Sequence, residues 1–212
     1  MFIELLDLLR CVNAHEDTWL VASFKDVSNR FVVEGTLGCP SCSQQYAISS
    51  GVADFTLGQA SQSCEAERSA ASHLREELAT RAGAYLDATQ PGATIVLGGV
   101  WAYAAQELAD MADVRVIALN APSGVKESAR VGLVRSGTTI PLAPGSVHGV
   151  ALDAWFPLAT VDAAWRVLKP GGRVVGPASF DPPVESVVLA RDESYWIAEK
   201  APEVVKLSRA DR

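Results

Sequence analysis

Over the first 57 residues the apolar positions fall in short runs rich in β-formers, broken by turn residues. Thr18-Trp-Leu-Val-Ala-Ser-Phe24 and Arg30-Phe-Val-Val-Glu34 predict two strands joined across Asp26-Val-Ser-Asn29, and Tyr46-Ala-Ile48 leads into the turn Ser49-Ser-Gly51. The opening Met1–Arg10 is apolar but carries Glu4 and Asp7, which predicts a short amphipathic helix or turn packed on the neighbouring segment. The pattern changes after Leu57. Residues 61–88 hold no proline, many Ala, Glu and Arg, and place Leu74, Leu78, Tyr85 and Leu86 near helical spacing. One long helix is expected there, weakest at Gly83.

From Pro91-Gly92 onward, strand patterns at 94–97, 114–119, 130–134, 146–152 and 172–176 alternate with helical ones at 101–111 and 156–168, and a short helix is expected after Pro122. Such alternation predicts an α/β fold with a mostly parallel sheet covered by helices. The chain closes differently. Val187–Arg191 and Tyr195–Glu199, joined by Asp192-Glu-Ser194, predict an antiparallel hairpin. The stretch before it contains Pro177, Pro182 and Pro183 and is too short and too broken for a crossover helix. The expected division is a small N-terminal β module (1–57), a connecting helix (58–90) and an α/β domain (91–212).

Of 212 residues, 49% are hydrophobic and 20% charged, enough apolar material for a sizeable core. The net charge of −7 and the lack of any Lys/Arg run argue against nucleic acid as the main partner. No apolar run approaches the ~18–20 residues of a membrane span. The start has no basic leader or small-residue cleavage site, so four cysteines without an export signal point to a reducing, cytoplasmic setting, where metal binding is favoured over disulfides.

Cys39-Pro-Ser-Cys42 has the form of a zinc knuckle, in which a tight turn aims two thiolates the same way. One knuckle supplies half a tetrahedral site. Cys11 and His15 are the nearby pair able to supply the rest, with two strands between the pairs as in a zinc ribbon. A site of Cys11, His15, Cys39 and Cys42 has no open position, so its zinc would be structural. The string Gly35-Thr-Leu-Gly-Cys-Pro-Ser-Cys42, with Tyr46-Ala-Ile48, Gly51-Val52 and Phe55, resembles the small zinc-ribbon proteins that act as activating partners of methyltransferases. The likeness covers about residues 1–57. It departs at the first knuckle, where the family's second cysteine falls at Ala14, leaving the fourth ligand open.

The string Leu168-Lys-Pro-Gly-Gly172 after a helical run, with the apolar strand runs from Gly92 onward, resembles S-adenosylmethionine-dependent methyltransferases of the Rossmann-like class. Gly92-Ala-Thr-Ile-Val-Leu97, Asp113-Val-Arg-Val-Ile-Ala-Leu119 and Ser146-Val-His-Gly-Val-Ala-Leu152 match the first, second and fourth strands, and Ala164-Trp-Arg-Val-Leu-Lys-Pro-Gly-Gly-Arg-Val-Val175 matches the turn into the fifth. The resemblance implies a Rossmann-like fold and places cofactor contacts at Gly98, Gly99 and Asn120, if the pocket works. At three contact points the pattern departs. Trp101 and Tyr103 stand where the glycine-rich turn needs small residues, Asn120 replaces the acid that binds the ribose, and His148 falls at the acidic position of the fourth strand. These departures favour a degenerate, non-catalytic scaffold, activator or complex subunit, whose partner would be another protein or a second copy of the chain. The alternative is an active S-adenosylmethionine-dependent methyltransferase with an atypical cofactor turn. A third reading is another nucleotide or metabolite in the same crevice. Cys64 has no nearby basic partner that would make it a nucleophile.

Overall fold

The computed structural model describes residues 1–58 and 72–202. At its centre is one eleven-stranded sheet. The N-terminal stretch supplies a 3-10 turn at Ile3–Leu8 and four strands, β1 (Val21–Ser28), β2 (Phe31–Gly38), β3 (Gln45–Ser49) and β4 (Val52–Phe55). Helix α1 (Ser72–Tyr85) follows. Then come β5 (Thr94–Gly98), α2 (Ala105–Ala112), β6 (Arg115–Leu119), β7 (Val131–Ser136), β8 (Val147–Ala151), α3 (Leu158–Val167), β9 (Leu168–Pro177), β10 (Ser186–Arg191) and β11 (Tyr195–Lys200).

The strands are ordered β1-β2-β3-β4-β7-β6-β5-β8-β9-β11-β10. The α/β character is as expected, but the sheet is not mostly parallel. Five neighbouring pairs, from β4 through β7, β6, β5 and β8 to β9, are parallel. The other five, among β1–β4 and among β9, β11 and β10, are antiparallel. The N-terminal strands extend this sheet, with Val52–Phe55 alongside Leu133–Ser136. The reason lies in their one-sided patterning. Tyr46, Ile48, Ala53 and Phe55 are buried, and a four-strand module cannot cover such a face alone, so it joins the core of Leu5, Leu9, Val134 and Leu142.

In the parallel part, β6 and β7 lie on one side of β5, and β8 and β9 on the other. This is the doubly wound order, with its switch point between β5 and β8. All of β5 is buried, as both faces are covered. Val96, Val150 and Val174 pack on the α3 side, while Ile95, Leu97 and Val116 pack with Ala82, Leu86 and Leu108 of the α1–α2 side.

Several local expectations change. The helix foreseen at 101–111 begins as a 3-10 turn, Gly99–Ala104, before α2. No helix forms after Pro122, where the crossover is made of turns. The Leu-Lys-Pro-Gly-Gly stretch is a bulge inside β9. Leu168 already pairs with Val147, the next pair is Gly149 with Arg173, and Gly171 supplies a φ of 77°. The closing hairpin forms as expected, and residues 178–185 hold no helix. The described part of the long helix expected over 61–88 is α1. Cys64 lies outside the described residues. Among the described residues, no helix is long and apolar enough to cross a membrane.

Candidate metal centre and the mouth of the parallel sheet

Cys39 and Cys42 sit on the turn between β2 and β3. Cys39 N donates to Gln44 O and Ser43 N to Cys39 O, with Ser43 left-handed at φ 60°. Cys11 and His15 come from the loop that precedes β1. The structure brings these four residues together, with ligand atoms all within 4.8 Å of one another. Cys11 Sγ is 3.6 Å from Cys42 Sγ, and Cys39 Sγ is 3.3 Å from His15 Nε2. A tetrahedral site with metal–sulfur bonds of ~2.3 Å and metal–nitrogen bonds of ~2.0 Å has edges of about 3.5–3.8 Å, so the spacing suits a single ion.

The surroundings favour the same chemistry. His15 Nδ1 donates to Glu16 O at 2.6 Å, which puts the ring proton on Nδ1 and leaves Nε2 bare. Asn13 Nδ2 donates to Cys42 Sγ at 3.4 Å. The Tyr46 hydroxyl lies 3.0 Å from Cys11 Sγ and accepts from Val12 N at 3.2 Å. The Gln44 amide, and after it Asn13, hold the Cys42 thiol down at about 6. Burial pushes the Cys11 thiol and the Tyr46 phenol up. A Cys3His set with no open position can hold an ion structurally but cannot present it to a substrate.

At the carboxyl end of β5 the backbone turns sharply. Gly99 adopts φ 60°, and the Asp153 carboxylate stands where a Cβ at Gly99 would be. Asp153 is 3% exposed. Its Oδ2 accepts from Val100 N at 2.6 Å and its Oδ1 from Trp155 N at 3.1 Å. The Val100 donor, which opens the turn after β5, is thus taken by the chain's own carboxylate. Gly98 is hemmed in as well, since a Cβ there would meet Leu152 and Phe156 at 2.8 Å. Trp101, 1% exposed, is turned into the core against Tyr195 and Tyr85, with ring centroids 5.3 and 6.4 Å away. It is therefore Asp153, not the indole, that stands against Gly99.

Asn120, at the end of β6, is also engaged. Its Nδ2 donates to Ser136 O and its Oδ1 accepts from Ser136 N, both at 2.9 Å, so both ends of the amide are used on β7. The resemblance puts the acidic position of the fourth strand at His148. The structure corrects this: His148 is at the amino end of β8, and the acid beyond the carboxyl end is Asp153. An acid directly after the apolar run Val150-Ala-Leu152 was the available signal. A cavity of ≈ 460 Å³ opens beside the turn after β5, lined by Ala102 and Tyr103 of that turn with Arg75, Gln106, Glu107 and residues 124–127. Gly98, Gly99 and Asn120 do not line it.

Burial raises the Asp153 carboxyl above its ordinary value, against the pull of its two N–H donors. A folded value above the unfolded one means that the folded chain binds the proton more tightly. The associated stability is full below the unfolded value and is lost as pH rises through the folded one. Asp153→Asn removes this titration, so wild type should lose stability relative to the variant as pH rises above about 4 and through the folded value. Melting curves of both chains across that range test it, and a wild type that gains on the variant would refute it.

No family model matches the chain, and no curated protein does. Solved structures overlap it in part. The MycE methyltransferase from the mycinamycin biosynthetic pathway, in complex with Mg, SAH and mycinamycin VI, is 12% identical over 60% of this chain and 48% of its own, with a TM-score of 0.46. The (4+2) cyclase SpnF is 14% identical over 56% of this chain and 50% of its own, with a TM-score of 0.42. Geranyl diphosphate methyltransferase, in complex with GPP and sinefungin, is 17% identical over 49% and 44%, with a TM-score of 0.41. The chain spans about half the length of these three proteins. The fold assignment rests on the strand order itself.

Proposed function

We propose that this is a degenerate methyltransferase-like protein, a non-catalytic scaffold or activator that works through a partner protein. The observation that carries the reading is the Asp153 carboxylate bound to Val100 N and seated on Gly99, at the point where a doubly wound sheet would receive its ligand. S-adenosylmethionine does not fit the residues found there. Asn120 is 3% exposed with each end of its amide tied to Ser136, and the two glycines face Leu152, Phe156 and Asp153 rather than an opening. The N-terminal likeness to methyltransferase activators points the same way. Cys11, His15, Cys39 and Cys42 would hold zinc, which supplies the cross-link a small β module needs in place of a core of its own.

One observation favours an active methyltransferase. The strand β8 is followed by an acid after all, since Asp153 stands where His148 was expected to replace one. Thermal stability separates the two readings. A selective ligand at ~100 times its Kd adds about 2.7 kcal/mol, whereas the closed mouth predicts no rise in melting temperature with millimolar S-adenosylmethionine or S-adenosylhomocysteine. A clear, saturable rise would replace the scaffold reading with the enzymatic one.

A further inference from the structure

At the opposite end of the parallel strands, three cationic or donor side chains share one face with no carboxylate among them. Thr94 pairs with Arg115 in the register of β5 and β6, and Ile95 pairs with Gly149, which makes Thr94 and His148 neighbours. Paired residues of parallel strands face the same way, so Thr94, Arg115 and His148 share the α3 face. Lys169 reaches the same spot from the β9 bulge, its Nζ 3.3 Å from His148 Nε2.

That contact pits one donor against another. Thr94 N donates to His148 Nδ1 at 3.1 Å, so Nδ1 carries no proton. The proton of the neutral ring is then on Nε2, aimed at an ammonium group that cannot accept it. Arg115 donates to Gly92 O at 3.2 Å, while its Nε is buried with no acceptor. Among the described residues no carboxylate lies within ion-pairing distance of Lys169 or Arg115. The acids on adjacent elements, Asp87 and Glu199, are engaged by Arg173, which pairs with Gly149 and so faces the other side. Burial, then Lys169, then Arg115, hold His148 below its ordinary value.

We infer that Arg115, His148 and Lys169 form a binding site for the phosphate group of a small molecule, at the amino ends of β6, β5, β8 and β9. A tetrahedral oxyanion presents acceptors in several directions, which answers an ammonium, an imidazole N–H and a guanidinium N–H at once. Two fixed cations with a neutral imidazole match a dianion, where a carboxylate would leave one charge unanswered. With a net charge of −7 the whole chain does not attract anions, so binding depends on these short-range contacts. The site is independent of the mouth at Asp153.

The test titrates the full chain with inorganic phosphate, with glycerol phosphate as a simple monoester, and with chloride at matched ionic strength, following the ring ¹⁵N signals of His148. Phosphate, the ester or both should shift these signals saturably, and binding raises the ring's proton affinity. Lys169→Gln should weaken binding roughly tenfold or more, the scale of one charge-assisted hydrogen bond, and Lys169→Arg should restore part of it. A response to the ester alone assigns the site to a phosphorylated metabolite, and a response to both assigns it to any phosphate group. Unmoved signals, an equal response to chloride, or unchanged affinity in Lys169→Gln overturns the site.

Discussion

A Cys39→Ser chain purified without chelators should retain no stoichiometric zinc, where wild type is expected to carry about one ion per chain. Cys39 is the buried member of the cluster and faces His15 across it. A serine hydroxyl is a poor zinc ligand at neutral pH, and three remaining ligands would leave an open, exchangeable site. Zinc binding in the smallest metal-dependent domains is worth ~10–16 kcal/mol, which sets an upper limit here, because β4 is held by β7 whether or not a metal is present. The loss should therefore fall on β1, β2 and the loop carrying Cys11 and His15. Hydrogen exchange should quicken in those segments and stay slow in β5, β6 and β8. Metal analysis finding no zinc in wild type, or a full complement in the variant, would refute the metal centre.

Asn120→Asp is the second large effect expected. In an active enzyme of the resembled class an acid belongs at this position, so the change would look like a repair. In this structure it should be harmful. The aspartate loses the donor that meets Ser136 O and places a carboxylate, 3% exposed, against that carbonyl. Leaving such a buried polar pair unmet costs about 2–5 kcal/mol. At roughly 2–4 °C per kcal/mol for a chain of this size, the melting temperature should fall by about 4–20 °C. No stabilisation by S-adenosylmethionine should appear in return. A variant as stable as wild type, or one that gains a ligand-dependent rise, would show that the amide is free to serve a cofactor.

Much of the architecture could be read from local pattern. The apolar runs at 94–97, 114–119, 130–134 and 146–152 became β5 to β8 within a residue or two, because fully buried strands need continuous apolar sequence. The hairpin of β10 and β11 was legible from its turn residues. The expected helix after Pro122 failed because Asn120 takes a left-handed conformation and ties itself to β7, which draws the crossover into turns. The acid at the mouth was misplaced because the apolar run 146–152 does not record where pairing with β5 stops; it stops at Ala151, which puts Asp153 rather than His148 at the mouth.

Local sequence was enough for whatever depends on near neighbours: the strands and helices with clear periodicity, the Cys39–Cys42 turn, and the punctuation by proline and glycine. Those are properties of a few consecutive residues and their backbone preferences. Long-range packing set the rest: the N-terminal strands join the parallel sheet through β4 and β7, Asp153 reaches Val100 across 53 positions, and Lys169 faces His148. Such pairings arise from competition among apolar faces for burial and among buried donors for acceptors. That competition is settled over the whole chain, and no local pattern records its outcome.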